Sequence, residues 1–128
     1  MFLVKTTPFA FGVTSIVLPI KAIEKGGTGF LATFEYALCQ RAGGFTKVAA
    51  SGGWLDPQSG YIVRDESIRY EVAGLSLDDL NDMLAYILEC GEEREVYFVR
   101  DGVPQCASRY QPMSWDYPPR EQREQPTD

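Results

Sequence analysis

The residues best suited to chemistry lie in a glycine-rich segment between positions 44 and 69. Trp54 and Tyr61 flank an Asp-Pro-Gln-Ser-Gly turn, so both rings would lie near the end of a hairpin, where they could form a wall against a flat or cationic ligand. Asp65 and Glu66 follow in the next predicted strand, but consecutive residues of a regular strand point to opposite faces. They therefore could not act as a paired acid and base within one chain. The alternative to a functional role for either carboxylate is that both are simply solvated.

A second glycine-rich stretch, Gly26-Gly27-Thr28-Gly29, precedes a predicted helix. Backbone N–H groups at such a position can bind phosphate. The stretch lacks both the Gly-Lys-Ser/Thr ending of a P-loop and the spacing of the dinucleotide fingerprint. The simpler interpretation is a flexible connection with Thr28 near the helix start.

Acidic side chains are concentrated in one part of the chain. Residues 71–95 carry eight acidic and one basic side chain, whereas the whole chain has a net charge of −6. Such a surface could mimic phosphate charge and bind a basic partner, as some phage-encoded inhibitors of DNA-binding proteins do. The alternative is a solvated helix face whose first acids complement the helix dipole. Neither nucleic-acid binding nor membrane binding is expected from this charge balance.

Histidine is absent from the sequence, which excludes Ser-His and Cys-His nucleophilic pairs and His-ligated metals. Cys39, Cys90 and Cys106 are too widely spaced for a disulfide framework or a metal knuckle, and the first two fall in apolar helical patterns that predict burial. Reduced thiols suit the cytoplasm, and no apolar run reaches the ~18 residues of a membrane span. We therefore expect a cytoplasmic protein with no metal or cofactor.

Hydrophobic periodicity places these residues on strands and helices. The pattern predicts strands over 12–20, 45–50, 61–73 and 95–100, a short edge strand over 103–110, and helices over 30–41 and 77–90. Ser76 is a suitable N-cap for the second helix, and Gly43 and Gly91 are suitable helix ends. The turn over 56–60 predicts a β-hairpin.

The order β-α-β-β-α-β predicts an α+β protein with a ferredoxin-like layout, in which two helices cover one face of an antiparallel sheet. The other face would carry Tyr61, Val63, Tyr97 and Val99. A second subunit covering it predicts a homo-oligomer, a dimer or a trimer. The alternative is that the N-terminal arm or residues 103–117 fold across it. We expect one domain over residues 1–117 and a disordered polar tail over 118–128.

Thr46, Gly52, Trp54, Gly60 and Glu66 resemble a pattern of small ferredoxin-like proteins, in which a Thr precedes Gly-x-Trp, a glycine-containing hairpin and a Glu early in the long third strand. One such family is the phage S-adenosylmethionine lyases, which look like trimeric relatives of the nitrogen-regulatory PII proteins. The resemblance covers residues 44–100. It implies a ligand site between subunits, where acidic and tyrosine side chains hold the methionine part.

Two function classes follow. The first is a small oligomeric ligand-binding protein or enzyme that acts on an adenine-containing molecule, and the resemblance implies S-adenosylmethionine lyase activity. Its candidate catalytic residues are Glu66 and Asp65, and its candidate ligand-binding residues are Thr46, Trp54, Tyr61 and Arg69. The second is a non-catalytic interaction protein that binds a basic partner through its acidic second helix.

The predicted tail gives a first testable outcome. Deleting residues 119–128, which contain no apolar side chain, should change the free energy of unfolding by less than ~0.5 kcal/mol, because surface changes without buried partners rarely do more. Urea denaturation of the full and shortened chains measures this difference. A loss of several kcal/mol would show that the tail is packed.

Overall fold

A computed structural model describes residues 2–109 of the 128-residue chain. In chain order the elements are β1 (Val13–Pro19), α1 (Ile20–Gly26), α2 (Phe30–Ala42), β2 (Thr46–Leu55), β3 (Ile62–Ala73), α3 (Leu77–Cys90), β4 (Glu95–Arg100) and β5 (Val103–Ser108). The predicted tail and the predicted domain end at residue 117 lie outside the described residues. None of the helices within residues 2–109 combines the length and the apolar character that a bilayer crossing requires.

The strands form one five-stranded antiparallel sheet in the order β2-β3-β1-β4-β5. This confirms the predicted α+β class. The order of β2, β3, β1 and β4 is compatible with the predicted ferredoxin-like layout, and β5 adds a strand beside β4. The part of the chain that the structure describes has three helices, so the prediction of two was wrong.

Helix α1 is the helix that the sequence pattern missed. It begins directly after Pro19 and has seven residues, which is too short to show a helical repeat of apolar positions. The predicted connection Gly26-Gly27-Thr28-Gly29 therefore begins one residue too early, since Gly26 belongs to the helix. A side chain at position 26 would collide with the Phe30 ring, so close packing explains this glycine.

One face of the sheet packs against the helices and forms the core. Ile16 and Leu18 of β1 alternate with half-buried residues that point away from the helices. Burial of such side chains contributes about 1.5–3 kcal/mol each. The fully buried large side chains include Ile16, Leu18, Phe34, Leu38, Tyr70, Val72, Leu80, Met83, Ile87 and Val96. We call the other side of the sheet the open face.

The predicted caps are present. The Ser76 hydroxyl accepts a hydrogen bond from the Asp79 backbone N–H at 3.1 Å, and Gly43 ends α2 with a φ of 91°, a conformation that glycine adopts without steric cost. Two burial predictions were wrong, because Cys39 and Cys90 are exposed. Both lie on helix faces that turn away from the sheet.

Strand β2 is longer than predicted. The pattern ended it at residue 50 because Ser51, Gly52 and Gly53 have low strand propensity, yet β2 pairs with β3 through to Leu55 opposite Ile62. Strand β1 pairs with β3 only from Ala73 to Ser67. Residues 51–66 therefore project beyond β1 as a two-stranded ribbon, which we call the hairpin arm.

The turn of the hairpin arm has the predicted chemistry. The Asp56 carboxylate accepts hydrogen bonds from the Gln58 backbone N–H and the Ser59 hydroxyl, both at 3.0 Å. Gly60 has a φ of 77°, and its N–H donates to the Asp56 carbonyl at 2.8 Å. The β-hairpin prediction is confirmed.

A buried tyrosine and a carboxylate join α2 to the sheet. Tyr70 packs edge-on against Phe34 and Phe45, and its hydroxyl donates to Glu35 at 2.5 Å. Lys47 of β2 donates to the same Glu35 oxygen at 2.7 Å. Burial raises the pKa of Glu35, but the hydrogen bonds from Lys47 and Tyr70 outweigh it, so the net pKa is lowered. The folded state therefore favours the ionised carboxylate.

Replacing Glu35 by Gln should lower the free energy of unfolding at pH 7 by about 1–2 kcal/mol, because hydrogen bonds to a charged group are lost. Since the folded pKa of Glu35 lies below its ordinary value, its contribution is complete above the unfolded pKa and is lost as pH falls through the folded pKa. Urea denaturation should show that the difference in unfolding free energy between the original chain and the Glu35→Gln variant is smaller at pH 3 than at pH 7. Glu24→Gln, an exposed change on α1, is the control. A difference in unfolding free energy for Glu35→Gln that is equal at both pH values would contradict this account.

Candidate functional site

The predicted aromatic wall lies on the hairpin arm. Trp54 is on the open face opposite Val63 and is 52% exposed, and Tyr61, directly before β3, is 76% exposed. Neither ring enters the core. The indole of Trp54 is therefore accessible to a ligand or a partner.

Asp65 and Glu66 point to opposite faces of the arm, as the alternation rule predicts. Asp65 lies opposite Gly52 and is half-buried on the open face, the same face as Trp54. Glu66 lies on the helix side and accepts hydrogen bonds from the Ser51 hydroxyl at 3.0 and 3.1 Å. Within one chain only Asp65 shares a face with the indole.

Thr46 and Arg69 lie on the open face far from Trp54. Thr46 begins β2 opposite Glu71, and Arg69 lies opposite Val48, with its guanidinium 3.9 Å from the Glu71 carboxylate. Eight strand residues separate Thr46 from Trp54, which is about 26 Å. The predicted open-face residues therefore form two groups rather than one site within a chain.

The group of Thr46 and Arg69 borders a cleft that the sequence did not predict. Thr46 and Glu71 line it together with Phe9 and the Gly43-Gly44 loop, and its volume is about 350 Å³. A hydroxyl, a carboxylate and an aromatic ring thus line one cleft, and Arg69, which does not line it, is joined to it through its ion pair with Glu71. Glu71 could have been found from the period-2 pattern, which puts it on the face of Arg69, but nothing in the sequence places Phe9 there.

Within residues 2–109, the two segments proposed to cover the open face leave its centre uncovered, and residues 110–117 of the second segment lie outside the described residues. Phe9 packs beside Gly74 at the end of β3, but Phe2 and Leu3 are 82% and 91% exposed. Residues 103–108 form β5, which pairs with the edge of β4 instead of crossing the sheet. The central open face remains a mixture of half-buried and charged side chains.

The acidic surface is partly neutralised on α3. The Arg41 guanidinium lies 3.4 Å from the Asp79 carboxylate and 3.7 Å from that of Asp82. A cleft of about 430 Å³ lies beside this network between α2 and α3, on the other side of the sheet from Trp54. Two of the eight acids are therefore used in joining helices, which weakens the interpretation of α3 as a uniform acidic docking surface.

Cys106 is the cysteine on the open face, opposite Tyr97. Burial, and then the nearby Glu95 carboxylate, raise the pKa of its thiol. The thiolate is the nucleophilic form of cysteine, so a raised pKa does not favour the reactivity of this thiol. Within residues 2–109, no three Cys, Asp or Glu side chains converge to form a group that could hold a metal ion.

Comparison with known proteins identifies the fold. No protein-family model matches the sequence, and no curated protein matches it. Among solved structures, a phage SAM lyase in complex with S-methyl-5'-thioadenosine superposes with a TM-score of 0.51 at 18% identity, covering 86% of this chain and all of that chain. The chain therefore resembles that lyase at the level of structure.

Two further structures match with lower scores. A phage SAM lyase in the apo state gives a TM-score of 0.46 at 16% identity, covering 87% of this chain and all of that chain. A Bacillus cereus protein related to NIF3 gives a TM-score of 0.47 at 13% identity, with 77% of this chain matched to 27% of that chain.

The exposure of Trp54 makes a direct prediction. Trp54→Ala should change the free energy of unfolding of the single chain by less than ~1 kcal/mol, because the ring has little core to leave. Phe34→Ala is the matched control: Phe34 is fully buried, and its loss should cost about 3–5 kcal/mol. Urea denaturation at low protein concentration measures both, and equal losses would show that Trp54 is packed.

Proposed function

We propose that this protein is a small homo-oligomer of ferredoxin-like layout that binds S-adenosylmethionine or a related adenine-containing molecule and has S-adenosylmethionine lyase activity in the cytoplasm. The observation that carries the proposal is the fold shared with a phage SAM lyase over the whole length of that enzyme. Because one fold hosts many functions, the argument needs support from the residues on the open face.

The arm supplies one half of the proposed site. The indole of Trp54 offers a flat apolar surface for an adenine ring, and rings of this type also attract cations. Asp65 lies on the same face, next to the Trp54–Val63 pair. A carboxylate there would attract the positive sulfonium of S-adenosylmethionine, whose charge is absent from S-methyl-5'-thioadenosine. Asp65 is therefore our first candidate catalytic residue, and Glu66, on the other face, is the second.

The cleft beside Thr46 supplies the other half. The Arg69 guanidinium can bind a carboxylate in a two-pronged manner, and the Glu71 carboxylate can accept hydrogen bonds from an ammonium group. These are the two charged ends of the methionine part of S-adenosylmethionine. In one chain this group is about 20 Å from Trp54, since six strand residues separate Arg69 from Val63.

The separation of the two halves is the reason to expect a shared site. If both halves contact one ligand, they must come from different subunits. The proposal therefore includes homo-oligomerisation as a requirement of binding. Tyr61, which is exposed at the tip of the arm, would then approach the ligand from the same subunit as Trp54.

Titration calorimetry with S-adenosylmethionine and with S-methyl-5'-thioadenosine tests binding, and chromatographic detection of released S-methyl-5'-thioadenosine tests lyase activity. Asp65→Asn should weaken S-adenosylmethionine binding about 10- to 100-fold, the loss expected when a charged hydrogen-bonding partner is removed. S-methyl-5'-thioadenosine binding should change less, because that molecule lacks the sulfonium.

Glu66→Gln is the matched comparison, since it removes the neighbouring carboxylate on the opposite face. It should have a smaller effect than Asp65→Asn, and Glu24→Gln should have none. If the protein binds neither molecule, the proposal is wrong. If Glu66→Gln abolishes activity and Asp65→Asn does not, the assignment of the carboxylate is wrong.

A further inference from the structure

The outer edge of β2 has no pairing partner within residues 2–109. β2 is the terminal strand of the sheet, runs for ten residues from Thr46 to Leu55 and contains no proline. All its residues except Ala50 are exposed. The opposite outer strand, β5, carries Pro104, a residue that lacks the N–H needed to extend a sheet. Long unpaired edges without such protection are templates for pairing with another chain.

We propose that β2 pairs in antiparallel fashion with β2 of a second copy of this chain, with the two-fold axis at Ser51. This contact joins the two sheets edge to edge. It deepens the proposed function and depends on it for its functional meaning, because the partner copy would then supply the aromatic half of the site.

Symmetry, together with pairing over most of the ten residues of β2, leaves two choices of register. Residues directly opposite each other in a sheet point to the same face, so the axis must pass through a residue and not between two. The middle of β2 lies between Ala50 and Ser51. An axis at Ser51 places Val48 opposite the partner's Trp54, whereas an axis at Ala50 places Val48 opposite the partner's Gly52.

Apolar contact selects the axis at Ser51. Val48 and Trp54 are 44% and 52% exposed in the single chain, and both point to the open face. An aromatic ring opposite a β-branched side chain is a favourable cross-strand pair, worth about 0.2–1 kcal/mol. Two-fold symmetry makes this pair twice. The residues between the two pairs, Ala49 to Gly53, are all small, so nothing there obstructs the approach of the two backbones.

Charge does not oppose the pairing. Lys47 is the one charged residue of β2, and in this register each Lys47 lies opposite the partner's Leu55. The two lysines are then eight residues apart, about 27 Å, which exceeds the distance over which exposed charges interact at physiological salt. In one chain Lys47 is also paired with Glu35.

The pairing brings the two halves of the proposed site together. Val48 lies opposite Arg69 in the neighbouring strand β3. The partner's Trp54 would therefore be two strand spacings from Arg69, about 10 Å, on the same open face. Within one chain the same two groups are about 20 Å apart. The gap between Arg69 and the indole is then of the size that a small ligand fills.

Disulfide cross-linking tests the contact without any ligand. In a Cys39→Ser/Cys90→Ser/Cys106→Ser background, Ser51→Cys should form a covalent dimer under mild oxidation, because the two thiols face each other across the axis. Thr46→Cys is the control on the same edge: its two copies would lie about 34 Å apart and should not cross-link. Ser67→Cys, on the open face of β3, reports the face-to-face packing predicted from the sequence.

Light scattering gives the second measurement. The full chain should have twice its 14.3 kDa mass at micromolar concentration, and Val48→Lys should raise the dimer dissociation constant at least ~10-fold. Val103→Lys, at an exposed valine of the other outer strand β5, should leave it unchanged.

A monomeric chain, or an oligomer in which Ser67→Cys cross-links and Ser51→Cys does not, overturns the edge pairing. Absence of S-adenosylmethionine binding bears on the proposed function and not on the edge pairing. A Ser51→Cys cross-link in a protein that binds no ligand supports the contact and refutes the proposed function. Ligand binding by a protein in which Ser51→Cys does not cross-link supports the proposed function and refutes the edge contact.

Discussion

Strand β1 pairs with β3 over seven residues, from Val13 opposite Ala73 to Pro19 opposite Ser67. It ends there because Pro19 cannot donate to the ladder and the chain enters α1 at the next residue. β2 and β3 continue for five more residue pairs without a third strand. The length of β1 therefore decides which part of the sheet is buried and which part projects as the hairpin arm.

The two parts of β3 differ in environment as a result. Tyr70 and Val72 are fully buried against α2 and its neighbours, whereas Ile62 is 57% exposed. An isolated two-stranded ribbon has little stability of its own, so the arm depends on its turn hydrogen bonds and on any surface that packs against it. The same exposure makes Trp54, Tyr61 and Asp65 available for binding. Stability is concentrated in the core, and the candidate site lies where burial is least.

The sequence could predict the contents of the candidate site better than its geometry. Alternation along β3 correctly separated Asp65 from Glu66, and the turn residues correctly placed the hairpin. The distance between Thr46 and Trp54 was not predictable, because Ser51-Gly52-Gly53 resembles a loop in which the chain could fold back. Pairing with β3 keeps this segment extended and holds the two residues at opposite ends of a strand. Phe9 was missed because its position depends on the path of an arm with no regular structure.

Local chemistry explains what the sequence determined by itself. The caps at Ser76 and Gly43, the turn at Asp56–Gly60 and the apolar faces of α2, α3 and β4 depend on residues within a few positions of one another, and the sequence alone predicted them. Tertiary contacts decided the rest. Pairing with β3 extended β2 through its glycines. Helix α1, whose last residue Gly26 packs against Phe30, is too short to show a periodic pattern. The end of β1 left the arm uncovered. These outcomes depend on residues distant in sequence, whose contacts no local pattern can specify.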